Sequence, residues 1–495
     1  MRKRPIIIIC LMLAIVLLAV TGYGKTPPTK ITIMLSMFAP EPVRADHPVL
    51  RKIEEYTNTD LDLLWVPDKS IGDKGSVMLA ANSLPMVAQI GTAFKANYLA
   101  AFRAGAFWEI GPYLKSFKNL RKADAGLLQR VSVDGKLYGL PKERQVARIG
   151  VTYRKDWADK LGFTKPPKTL DEFYKMAKAF TLNDPDGNGL NDTIGLSDQS
   201  SASGFRAMTA WFGASATYGY RNGKIVAYMM EQEYLDAMTF ARKLYAEGLV
   251  NKDFISVKSK ADNLLGGKAG MIIGAMDDAV RNQELIRQVN PQAELDVFSL
   301  IDAGKGIHVW PENPGFKGVF AFPKNAVKNV TQLKAILGFF DKLNDKAMND
   351  LIEYGIKGVS YDIIDGKAVY DEEKAEKNGI KRAELDDLSQ LRTFRFSINP
   401  VTPPQRTPLQ ESIFKMIDTN LKYVVFDASD GLTSATLDMR GSELNKMRDD
   451  AQAKYIMGLI DLDAFKAEIE KWRKAGGDKV LEELTASYKA VHKIK

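Results

Sequence analysis

The stretch Ile31 to Phe38, I-T-I-M-L-S-M-F, is rich in β-branched and apolar residues and reads as a buried strand. The next apolar segment, P-V-L-R-K-I-E-E-Y-T (48–57), has helical spacing, and L-D-L-L-W-V (61–66) is again strand-like. V-M-L-A-A-N-S-L (77–84) reads as a helix end and M-V-A-Q-I (86–90) as a third strand. Strands alternating with helices predict an α/β fold built on a mainly parallel sheet with helices on both faces.

Further along, R-I-G-V-T-Y-R-K-D (148–156) is a β-prone segment that follows the turn signals Asp134-Gly135 and Gly139-Leu140-Pro141, and it marks a boundary between two lobes. K-P-P-K-T-L-D-E-F-Y-K-M-A-K-A-F (165–180) then opens a helix. Thr169 is its N-cap, Glu172 completes a capping box, and Leu170, Phe173, Ala177 and Phe180 form the apolar face. Residues 234–248 predict a helix closed by Gly248, and G-K-A-G-M-I-I-G-A (267–275) a short strand between glycines. G-F-K-G-V-F-A-F-P (315–323) reads as a strand returning to the first lobe, and the C-terminal quarter as mostly helical. The expected layout is therefore an N-terminal segment 1–24, a first lobe 28–147 rejoined by 316–395, and a second lobe 148–315 carrying a helical part 396–495.

The chain has 495 residues, 45% of them hydrophobic, enough for two or three packed domains. Its first residues are a basic n-region, an apolar run from Ile6 to Val20, and small residues, the layout of a secretory signal. No later run is long and apolar enough to span a bilayer. The lone cysteine, Cys10, lies inside that run, so an exported mature chain has no disulfide. The formal charge is +8, and +5 without Arg2, Lys3 and Arg4. So small a surplus, with no basic stripe, argues against nucleic acid.

Several chemistries lack their motifs. There is no G-x-x-x-x-G-K-[ST] loop, no G-x-G-x-x-G between a strand and a helix, and no G-x-S-x-G elbow. The three histidines, His47, His308 and His492, are far apart in sequence. Asp277-Asp278, after the glycine-flanked strand, is the one carboxylate pair placed for sugar chemistry; the competing reading is acids at a helix N-terminus.

The stretch N-D-P-D-G-N-G-L-N-D-T-I-G (183–195) puts Asp184, Asp186, Asn188 and Asp192 at loop positions 1, 3, 5 and 9, with Gly189 at position 6. That is the register of a calcium loop, to which Leu190 would add its backbone carbonyl. Position 12 is Gly195 rather than a glutamate, and a strand follows, so this is not an EF-hand pair. The alternatives are a structural calcium staple and an empty Asx-rich turn.

Extended similarity joins these pieces. V-T-Y-R-K-D-W-A-D-K-L-G-F (151–163), P-K-T-L-D-E-F-Y (167–174) and D-P-D-G-N-G-L-N-D-T-I-G-L (184–196) resemble the extracellular solute-binding proteins of family 1 of Gram-positive bacteria. W-F-G-A, K-L-Y-A-E-G-L-V, G-K-A-G-M-I-I-G, Y-G-I-K-G-V-S-Y and F-S-I-N-P-V-T-P follow in order. The resemblance implies a two-lobed periplasmic-binding-protein-like fold that closes by a hinge on an oligosaccharide and delivers it to an ABC transporter permease, as a monomer and without catalysis. It also implies calcium on Asp184, Asp186, Asn188, Leu190 and Asp192.

Two features depart from the pattern. Tyr23 stands where a lipidated cysteine would be, which leaves release after Gly22 or Gly24 and retention by an uncleaved anchor both open, and A-N-S-L-P-M (81–86) replaces the usual S-G-D-x-P-D. By their places near lobe edges, Trp211, Trp310, Tyr153, Trp65 and Phe94 are the aromatic candidates for stacking on sugar rings. Arg148, Arg144 and Asp277 are the polar candidates, the arginines for an acidic sugar or for ordinary ion pairs. The rival functions are a secreted carbohydrate-active enzyme and a cell-surface sensor or scaffold.

Overall fold

The computed structural model describes residues 27–91, 96–311 and 313–493. The N-terminal segment 1–24, with its export and anchoring readings, and Phe94 lie outside the described residues. Among the described residues no helix is long and apolar enough to cross a membrane.

The strands, in chain order, are β1 Thr29–Met37, β2 Thr59–Pro67, β3 Val87–Ile90, β4 Gly139–Glu143, β5 Ile149–Arg154, β6 Ile194–Ser197, β7 Tyr218–Arg221, β8 Lys224–Ala227, β9 Ala269–Ala275, β10 Leu295–Phe298, β11 Phe316–Ala321, β12 Tyr361–Ile364 and β13 Lys367–Tyr370. The first sheet has the order β2-β1-β3-β11-β4 and the second β10-β5-β9-β6; β7-β8 and β12-β13 are separate hairpins.

In the first sheet β1 pairs in parallel with β2, from Thr29 opposite Thr59 to Met37 opposite Pro67, and with β3. Ile33, Met34, Leu35 and Ser36 are all buried, because helices cover both faces of β1. Strand β2 is the edge, and Asp60 and Asp62 are exposed, alternating with the half-buried Leu61 and Leu63. The expectation of a mainly parallel sheet needs correction. Strand β11 runs antiparallel to β3 and β4, and β5 runs antiparallel to β9 and β10; only β6 and β9 are parallel in the second sheet. The parallel rule follows from a helical crossover within one sheet. Strand β11 instead enters from the other lobe, where that constraint does not act.

Two large cores result. One gathers residues between Ile31 and Leu140 with residues between Phe316 and Ile398. The other gathers residues between Val151 and Ile301 and is completed by the C-terminal helices Ala435–Ile456, Leu462–Trp472 and Asp478–His492, through Leu444, Tyr455, Phe465, Trp472 and Leu484. Burying each such aromatic side chain contributes about 1.5–3 kcal/mol. Three segments run between the cores: 144–148 after β4, 299–315 before β11, and 392–407 before the helix Pro408–Asn420.

The third segment is fixed by charge. Arg392 and Arg395 pair with Glu353, and Arg382 lies 3.6 Å from the same carboxylate. Burial alone would raise Glu353, but the three guanidiniums hold it down at about 2.

Candidate functional site

Strand β4 ends at Glu143 and β5 begins at Ile149, so only residues 144–148 separate the two sheets there. A cavity of about 770 Å³ lies just past this segment, outside the C-terminal end of β9. Ligands of open α/β sheets bind in such crevices, and the volume suits a ligand of several sugar rings. Ile149 and β9 residues Ile272 to Ala275 form its floor, and Trp310, Pro311, Asn313 and Pro314 of the second crossing form one wall. Ser203, Arg206 and Ala207 come from the helix Ser203–Met208, Asp278, Arg281 and Asn282 from the helix Asp278–Val289, and Asp427 and Asp430 from the loop before the long C-terminal helix.

The helix bearing Arg206 is held by a buried carboxylate. Asp198 accepts the backbone N–H of Gln199 (2.9 Å), Gly204 (3.1 Å) and Phe205 (2.9 Å). Burial raises its pKa against those three donors and the charge of Lys260. Lys260 donates to Ser203 Oγ at 3.0 Å and to the Ile273 carbonyl, which ties this helix to β9.

Trp310 is half-buried on the cavity wall, with Nε1 donating to the Ala214 carbonyl (3.3 Å) and its ring 5.5 Å from that of Tyr228. Trp211 and Tyr153 sit in the second core instead, each 6% exposed; Trp211 meets Phe173 edge to face at 5.1 Å, and Tyr153 meets Phe298 at 5.3 Å. Trp65 is half-buried against the first core. Arg148 is buried and donates to Asp277 at 2.8 Å, so these two candidates satisfy each other beside the cavity. Asp278, one residue on, faces the cavity. Arg144 is exposed on the first crossing, where its N–H donates to the Gly315 carbonyl. Arg206, Lys260, Arg281, Asp427 and Asp430 escaped the sequence reading. They come from four separate segments, and no local spacing marks them.

Beside the cavity the two lobes also touch. Residues 424–428 are bound to the second lobe, since Val425 N donates to the Val309 carbonyl and Ala428 N to the Tyr218 carbonyl. The same loop reaches the first-lobe helix Ala125–Arg130. The Arg130 guanidinium stacks 3.7 Å from the Phe426 ring centre and donates to the Pro314 carbonyl at 2.7 Å. Gly431, at φ 77°, lies so close that an added Cβ would stand 2.7 Å from the Gln129 carbonyl oxygen and 3.1 Å from that of Arg130. Thr433 Oγ1 donates to Asp134 at 3.3 Å. Asp430 is pushed up to about 7, first by burial and then by Asp427, against the pull of Arg130.

The aspartate-rich loop lies on the second lobe, after the helix Leu170–Leu182, whose Thr169–Glu172 capping box forms as expected. Strand β6 follows, pressed so closely to that helix that a Cβ on Gly195 would stand 2.3 Å from the Ala177 carbonyl oxygen. Asp184 accepts the N–H groups of Gly187, Asn188 and Gly189 at 2.9–3.0 Å. Asn188 Nδ2 donates to Asp186 (3.0 Å) and Asp192 (3.2 Å), and Leu190, largely exposed, donates its N–H to Asn188 Oδ1. Burial and the contact with Asp184 raise Asp186; burial would raise Asp184 too, but the N–H of Gly189, the contact with Asp186 and the N–H groups of Gly187 and Asn188 outweigh it.

Among the described residues no three His, Cys, Asp or Glu side chains already stand in metal-holding geometry. In this loop the Asn188 amide N–H₂ bridges the Asp186 and Asp192 carboxylates. The donor set, three carboxylates with an amide that turns its oxygen inward on rotation, suits calcium.

The chain matches the family of bacterial extracellular solute-binding proteins over residues 40–340. It is 36% identical over 475 residues to the polygalacturonan/rhamnogalacturonan-binding protein YtcQ of Bacillus subtilis (strain 168), a match covering 94% of this chain and 93% of that one. It is 34% identical over 472 residues to the lipoprotein LipO of the same organism, covering 93% and 92%. The crystal structure of the alginate-binding protein AlgQ2 without calcium ion shares the fold, with a TM-score of 0.66 at 20% identity over 94% of this chain and 98% of that one. The chain belongs to the bacterial extracellular solute-binding protein family.

Proposed function

We propose that this protein binds an oligosaccharide in the cavity at the junction of its lobes, lined by the second lobe and the second crossing segment, outside the cytoplasm, and hands it to the permease of an ABC transporter. The observation that carries this reading is the cavity itself. It stands at the C-terminal end of β9 beside two of the crossing segments, with Trp310 on its wall and hydrogen-bonding side chains around it. An aromatic face for a sugar ring and planar polar groups for hydroxyls are what saccharide recognition needs. The near-full-length similarity to a polygalacturonan/rhamnogalacturonan-binding protein supports the same ligand class. Segments 144–148, 299–315 and 392–407 serve as the hinge, with the lobes drawn as 28–147 plus 316–395 and 148–315 plus 396–495. The chain works as a monomer and leaves its saccharide unchanged. The N-terminal apolar segment directs export, and Tyr23 denies it the thioether anchor of a lipoprotein.

Titrating the purified protein with oligosaccharides while following tryptophan fluorescence tests the reading, with chromatography of the recovered sugar. Saturable binding with intact sugar is expected. Cleavage of the sugar would establish the enzyme alternative instead.

Calcium belongs to the loop of Asp184, Asp186, Asn188, Leu190 and Asp192, where it neutralises clustered carboxylates and stiffens the turn between the helix Leu170–Leu182 and β6. The relation to a fold whose alginate-binding example is described by the absence of its calcium ion supports this assignment. Chelation should lower the melting temperature and leave saccharide affinity unaltered at equal folded fraction. A melting temperature indifferent to both chelator and added calcium would remove the metal from the account.

A further inference from the structure

The charged groups around the cavity differ in how far they are already committed. Arg148 is held by Asp277, Arg130 by the Pro314 carbonyl and the Phe426 ring, and Lys260 by Ser203 and the Ile273 carbonyl. Arg206 and Arg281 are different. Both line the cavity, from opposite elements, and among the described residues neither makes an ion pair or a side-chain hydrogen bond. A guanidinium has five N–H donors in a rigid fork that matches a carboxylate and no acceptor, so it does not serve a neutral hydroxyl equally well. Arg206 is also held in place, since Asp198 anchors the first turn of its helix.

Of the lining carboxylates Asp278, Asp427 and Asp430, the last two do not offset them. Asp427 is occupied by the N–H of Tyr218 (3.1 Å) and by both the N–H (2.9 Å) and hydroxyl (2.6 Å) of Ser429. Asp430, raised to about 7, is partly protonated at neutral pH and then offers a hydrogen-bond donor.

We infer that the cavity is built for an acidic saccharide, and that Arg206 and Arg281 are the residues that read its carboxylates. This rests on the saccharide reading above and narrows it to uronic-acid oligomers. Fork-to-fork contacts with a carboxylate fix the orientation of a ring as well as its charge, so each arginine acts as a specificity determinant. The sequence candidates for this role, Arg148 and Arg144, lie elsewhere on the first crossing, and Arg148 already has its carboxylate partner.

The test is calorimetry on the full chain with trigalacturonate, with its fully methyl-esterified form and with a neutral galactose trimer, for the wild type, Arg206→Gln and Arg281→Gln. The wild type should prefer the free acid to its ester by at least tenfold. Each variant should lose tenfold or more for the acid and less than threefold for the ester, with the melting temperature reporting that the fold is retained. Raising salt from 50 to 300 mM should weaken only the acid. Equal binding of acid and ester, binding of the neutral trimer alone, or a preference for the acid that survives in both variants would overturn this inference and leave the saccharide reading standing. No binding of any of the three by a calcium-loaded, folded wild type would overturn both.

Discussion

Replacing Gly431 by alanine should loosen the contact between the lobes and weaken saccharide binding without unfolding either core. At φ 77° an alanine costs about 1–2 kcal/mol. Its Cβ would also stand 2.7 Å from the Gln129 carbonyl oxygen, which belongs to a helix packed into the first core and does not yield. The loop must therefore lift off. Lifting sacrifices the stacking of Arg130 on Phe426, about 0.5–1 kcal/mol at a partly exposed site, and the Thr433–Asp134 hydrogen bond, about 1 kcal/mol. The docked state should thus lose roughly 2–4 kcal/mol relative to the undocked one. If the docked state is the one that binds, apparent affinity falls by about 30-fold or more. The assay is calorimetric titration of wild type and Gly431→Ala with the same saccharide, beside their melting curves. An affinity within threefold of wild type, in a variant that melts normally, would refute the claim that this contact belongs to the binding state.

Trp310→Ala should reduce saccharide affinity about 10- to 100-fold, from the loss of an aromatic face worth roughly 1.5–3 kcal/mol, while Trp211→Ala should instead destabilise the second lobe by about 3–5 kcal/mol; parallel calorimetry and melting curves separate the two. Glu353, with its pKa lowered from 4.5 to about 2, stabilises the fold above pH 4.5, and that contribution, about 3 kcal/mol, should be lost as pH falls from 4.5 toward 2. Glu353→Gln should flatten the dependence of melting temperature on pH in that window and lower the melting temperature at neutral pH, since it leaves Arg392 buried without its counter-charge. Unchanged melting at pH 7 would show that the pair is dispensable.

The parts of the fold that depend on local pattern were legible. Strands β1 to β3, the Thr169 capping box and the strand β5 at the lobe boundary follow from period, caps and turn residues. The direction of β11 was not, because it is set by a chain returning from another lobe. The site was harder. Trp211 and Trp310 carry the same side chain near lobe edges, yet the first is turned into the core against Phe173 and the second lines the cavity, a difference made by tertiary packing alone. Of the pair Asp277-Asp278, Arg148 claims the first and the second faces the cavity. Arg206 and Arg281 lie 75 positions apart on unrelated helices and converge only through the second sheet. The turn from Asp184 to Asp192 was legible because its polar residues lie close together in sequence and fold back on one another.

A saccharide bound at the junction of the lobes should bring them together. Small-angle X-ray scattering of the calcium-loaded protein during titration with trigalacturonate tests it most directly. The radius of gyration should fall saturably and follow the calorimetric binding curve. A scattering profile unchanged at a concentration where calorimetry shows full occupancy would contradict it.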